Sequence, residues 1–99
     1  MITIQNIIDW SKPHPANPDK ARQTVIFDDN VLFSVVGGSQ GLYGDFVEDF
    51  EVAVMTPDKK DFITKFFFPE GNDDVIPYMK ASDLEEMINN ILRKGFQVQ

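Results

Sequence analysis

The sequence predicts a single α+β domain: an antiparallel four-stranded meander with a C-terminal helix packed on one face and a short N-terminal helix. Three observations predict it. β-branched and aromatic runs recur at residues 24–27, 31–36, 50–55 and 62–68, with turn residues between them. Apolar residues recur at helical spacing over 84–92. No stretch reads as a parallel βαβ unit, so the switch-point cleft that holds nucleotides in doubly wound folds is not expected. The 99 residues, 1–99, support one core and no second domain.

Each element has a local reason. Ile4, Ile7, Ile8 and Ser11 share a helical face, and Thr3 is placed as an N-cap. Pro13, Pro15 and Pro18 then hold the chain in an extended loop. Between the first two strands, Asp28-Asp29-Asn30 supplies the residues of a hairpin turn. In the third strand, Phe50, Val52 and Val54 alternate with Glu51, Ala53 and Met55, so one face must be buried. Thr56-Pro57-Asp58-Lys59-Lys60 is a turn, and 62–68 reads as a fourth strand with Phe62, Thr64, Phe66 and Phe68 on one side. Residues 75–79 are too short, and too interrupted by Pro77, for a central strand. The last helix carries Leu84, Met87, Ile88, Ile91 and Leu92 as a single stripe. Ser82 and Glu85 are placed as its capping box, Gly95 as its C-terminal cap, and Phe96 to fold back on Ile91.

Composition removes several classes of function. Without cysteine there is no disulfide framework, thiolate metal site or cysteine nucleophile, which suits a reducing cytoplasm. Residues 1–12 lack the basic start and apolar core of a leader, and no apolar run is long enough to cross a bilayer, so a soluble cytoplasmic protein without membrane contact is expected. The net charge of −7 repels phosphate backbones, which argues against direct binding of nucleic acid. The charge is also segregated: Asp28, Asp29, Asp45, Glu48, Asp49, Glu51 and Asp58 fall in a window, 23–58, that holds no lysine or arginine.

Inside that window, residues 36–45 contain four of the six glycines and connect two strands. A phosphate-cradling loop is not the right reading, because no lysine follows and the next element is acidic and strand-like instead of a helix N-terminus. Leu42 and Tyr43, at the centre, either anchor the loop beneath the sheet or point outward as a partner's foothold. Asp45, Glu48, Asp49 and Glu51, with Asp28 and Asp29, either form a solvated surface or one negative face that docks a basic partner or imitates a nucleic-acid backbone.

The remaining constellations carry little chemistry. Asp28-Asp29-Asn30 and Asn72-Asp73-Asp74 lack the alternating ligands and distal glutamate of a calcium loop, so no metal or cofactor is expected. His14 is the single histidine, set among prolines without a partner motif, and reads as a loop residue. The acids show no sign of burial, so no catalytic residue is assigned and the protein is not expected to be an enzyme.

The run Phe33-Ser34-Val35-Val36-Gly37-Gly38, then Gly41-Leu42-Tyr43, Phe50-Glu51-Val52-Ala53-Val54, Asp74-Val75-Ile76-Pro77-Tyr78 and a closing helix, resembles the small uncharacterised accessory proteins of tailed bacteriophages. The resemblance spans residues 27–92 and brings no catalytic residue. It implies a viral accessory protein in the cytoplasm of an infected bacterium. The expected function is to bind and modulate a host protein, such as a defence or nucleic-acid enzyme, through Leu42, Tyr43 and the acids. The alternative is a structural or virion component that assembles as a homo-oligomer through an exposed strand edge near Phe66 to Phe68.

Overall fold

The computed structural model of the chain describes residues 1–38, 44–69 and 74–99. It is an α+β domain in which an antiparallel sheet carries both longer helices on one face. The elements are α1 (Ile4–Asp9), β1 (Lys12–Pro13), β2 (Arg22–Phe27), β3 (Leu32–Gly37), β4 (Asp49–Met55), α2 (Thr64–Phe67), β5 (Ile76–Lys80), α3 (Ala81–Ile91) and β6 (Gln97–Val98). Strands β1 to β5 form a meander in chain order, and β6 pairs with β2.

Three long strands, β2, β3 and β4, form the centre, and each outer edge of this trio is covered in two pieces. Beside β2 lie β1, opposite Arg22 and Gln23, and β6, opposite Ile26 and Phe27. Beside β4 lie β5, opposite Asp49 to Val52, and the single bridge from Phe62 to Met55. Short pairings of this kind occupy edge groups that would otherwise template association with another chain. The β2–β3 turn follows its side-chain chemistry, since Asp28 Oδ1 accepts from the amides of Asn30 and Val31 at 2.7 and 2.9 Å.

The core lies between the sheet and the helices. Phe33, Val35, Phe50, Val52 and Val54 point into it from the strands, Ile7 from α1, Leu84, Met87 and Ile88 from α3, and Leu92 from just beyond its end. The α3 stripe read from the sequence is therefore the packed face. Helix α1 is tied in by polar contacts as well. Thr24 Oγ1 donates to the Ile7 carbonyl at 2.6 Å, and Asn89 both accepts from Ile2 N and donates to Ile2 O.

Several expectations are corrected. Residues 62–68 are not a strand: pairing with β4 ends at Ile63, whose N–H donates to the Val54 carbonyl at 2.8 Å, and the one-turn helix α2 follows. The buried Thr64 is the reason, because its hydroxyl accepts from Val54 N at 2.9 Å and donates to the Asp74 carbonyl at 2.6 Å, taking the place of the next ladder bond. The fourth long partner in the meander is instead β5, at the sheet edge, where Pro77 is tolerated and Tyr78, at φ 51°, marks a break in register.

The caps of α3 also differ. Strand β5 runs straight into the helix, so Lys80 is the N-cap and Ser82 already lies inside. Glu85 is thereby released from capping, and its Oε2 accepts from Ile4 N at 3.0 Å. The helix ends at Ile91, well before Gly95, and Phe96 packs on Trp10 with ring centroids 5.6 Å apart.

Candidate functional site

The sheet has a second face, turned away from the helices. Val25, Leu32, Val36 and Ala53 alternate with the core residues, are themselves buried, and stand outside the helix-side core. Cross-strand register groups this face into rows: Phe27, Leu32 and Met55; Val25, Ser34 and Ala53; Gln23, Val36 and Glu51. It is walled on two sides, by β1 and Pro15 on one flank and by Lys59 and Phe62 on the other. Between the walls lie two hollows of about 360 and 210 Å³ that meet at Ser34 and Met55. The polar floor between them is ordered, with Gln23 Nε2 donating to Ser34 Oγ at 3.2 Å.

Glu51 and His14 both line the smaller hollow, with Val36, Ala53, Met55 and Phe62 around them. Burial pushes the Glu51 carboxyl above its ordinary value of 4.5, and the charge of His14, when protonated, draws it part of the way back. A carboxylate in such a setting favours a cationic neighbour, because pairing offsets the hydration it has lost. Proline-held His14 is thus placed over the sheet, its Nδ1 accepting from Ala16 N at 3.0 Å.

The acids divide by role. Asp45 Oδ1 accepts from the amides of Val47, Glu48 and Asp49 at 2.8, 2.9 and 3.2 Å, and Asp49 Oδ1 accepts from Asp45 N at 2.9 Å. These bonds, led by the Glu48 amide, hold the Asp45 carboxyl below its ordinary value of 3.8. Asp45 and Asp49 therefore build the turn into β4. Asp49 also meets Lys80 Nζ at 3.8 Å, the one ion pair among the described residues. Glu48 is exposed, beside Val47, which is 62% exposed. Since Phe50 points into the core, Asp49 and Glu51 both lie on the hollow's side of the sheet.

Close backbone approach explains the described glycines that flank this turn. A Cβ on Gly44 would stand 2.7 Å from Phe50 Cα, and one on Gly37 2.9 Å from Phe46 N. Gly38 N donates to Gly44 O at 3.0 Å, and Phe46 is buried edge-on against Phe50 at 5.2 Å. Leu42 and Tyr43 lie outside the described residues.

Asp28 and Asp29 do not join the other acids. They sit at the β2–β3 turn, at the opposite end of β3, roughly 17 Å away at the ordinary rise per residue, and share a hollow with Lys94 and Phe96. The single negative face considered from the sequence is thus divided into two ends of the sheet. This helix-free face itself had a signal in the sequence. Residues 31–36 are apolar at every position but Ser34, and a strand of that kind is apolar on both sides.

Compared with protein-family models, with curated proteins and with solved structures, the chain has no match.

Proposed function

We propose that this chain is a non-catalytic binding protein, an accessory protein of the phage type that its residues resemble, which docks a host protein in the bacterial cytoplasm on the acid-tipped end of its helix-free sheet face. The observation that carries this reading is Glu51, a half-buried carboxylate in a hollow walled by Val36, Ala53, Met55 and Phe62. A partner segment that lays apolar side chains over Met55 and Phe62 and a lysine or arginine at Glu51 satisfies both parts of the site. Glu48 and Val47 extend the same end with an exposed charge and an exposed apolar side chain.

The test separates docking acids from building acids. Asp45 and Asp49 hold the turn, so reversing them would confound binding with folding. The double variant Glu48→Lys/Glu51→Lys leaves those bonds in place. Affinity capture from bacterial lysate with the wild-type chain is expected to retain a host protein that this variant loses, with amide shifts on adding the purified partner clustering at Ser34, Glu51, Ala53 and Met55. Equal retention by the variant, or shifts confined to α1 and α3, would refute the reading.

A further inference from the structure

On the helix side of the molecule, away from Glu51, an open, shallow apolar cleft of about 480 Å³ lies between α2 and α3. Phe67, Phe68, Met79, Met87 and Ile91 line it, and Asp83 and Glu86 stand among its lining on α3. Beside the cleft projects Phe66, 82% exposed, its ring edge-on to Phe67 at 5.4 Å. Lys65 precedes it and is also exposed. Phe66 belongs to the same single turn as Phe67, whose ring it leans on, so it is displayed next to the cleft and does not fill it.

We infer that the occupant of this cleft is Phe66 of a second copy of the chain, in a two-fold symmetric dimer. A projecting ring and an apolar hollow side by side on one surface are self-complementary: a two-fold axis between them seats each ring in the other copy's cleft. The charges agree with that placement. The ring arrives with Lys65 beside it at a cleft that bears Asp83 and Glu86, and none of these three takes part in the one ion pair among the described residues. The two seated rings bury roughly 300–500 Å² of their own surface, which is below the range of stable interfaces and makes the dimer a weak one. Two chains of charge −7 repel one another, and salt near 0.15 M screens that repulsion beyond about 8 Å. The inference is independent of docking at Glu51, which lies on the other face.

Sedimentation equilibrium up to about 1 mM chain, a range suited to weak association, tests it. Wild type is expected to dimerise, and Phe66→Ser, which removes two exposed rings per dimer, is expected to raise the dissociation constant roughly a hundredfold. Charge reversal gives the sharper result. Lys65→Glu alone, and Asp83→Lys/Glu86→Lys alone, each place like charges at both contacts and are expected to stay monomeric. An equal mixture of the two places opposite charges at both contacts, and heterodimers should form. A wild-type chain that is monomeric throughout overturns the inference and leaves the cleft to a different partner. So does a mixture no more associated than its components, or Phe66→Ser dimerising like wild type.

Discussion

Replacing Thr64 with valine keeps the side chain's shape and removes only its hydroxyl, so it isolates the group that turns the chain out of the sheet. In the native structure that hydroxyl serves Val54 N and the Asp74 carbonyl, and both Thr64 and Val54 are almost fully buried. The variant leaves the Val54 amide without an acceptor in a place water does not reach, which costs about 1–3 kcal/mol. Asp74 is exposed, so its carbonyl can turn to solvent and adds little. A loss of about 2 kcal/mol is roughly 8–16 °C in Tm for a domain of this size. Thr64→Ser is the control: it keeps the hydroxyl and sheds one methyl, for about 1 kcal/mol. Calorimetry or urea unfolding of the two variants, with hydrogen exchange at the Val54 amide, gives the answer. If Thr64→Val is as stable as Thr64→Ser, or Val54 exchanges no faster in it, the hydroxyl does not hold this junction and the account of α2 is wrong.

Two carboxylates should respond to pH with opposite sign. Burial raises the Glu51 value in the folded chain, so its ionisation opposes folding: that cost is absent below about 4.5 and grows as pH rises through the folded value. Glu51→Gln should therefore raise Tm slightly near pH 7 and make no difference in acid, while weakening partner capture. Asp45 is held low by the amides it accepts from, so its contribution is present above 3.8 and is lost as pH falls through the lower folded value. Asp45→Asn should be less stable than wild type near neutrality, with the gap closing in acid, as urea unfolding midpoints at the two pH values would show.

How much of this was legible in the sequence depends on the range of the forces at work. The β2–β3 hairpin is local: Asp28 needs only the amides two and three residues on, so its turn can be read from three letters. Helix α1 is set by Thr3 and Asn6 bonding each other's backbone, and α3 by a stripe whose spacing repeats within eleven residues. The acids of the candidate site were found as types but not as roles. Asp45, Asp49, Glu48 and Glu51 lie close in sequence, and only their geometry separates those that build a turn from those that face a partner.

What the sequence by itself determined is the class of the fold, the strands and helix that carry alternating or stripe-like apolar patterns, and an acidic surface. Tertiary structure decided the rest, wherever a residue's partner lies far along the chain. Thr64 ends a strand because Val54 and Asp74 converge on it from ten residues away on either side. Glu85 leaves its expected cap because Ile4, 81 residues away, offers an amide. The helix-free sheet face depends on both helices packing on the same side, a choice that no single segment records. The physical reason is common to all three. Local patterns specify which groups must be buried or bonded, and the long-range assembly specifies with what.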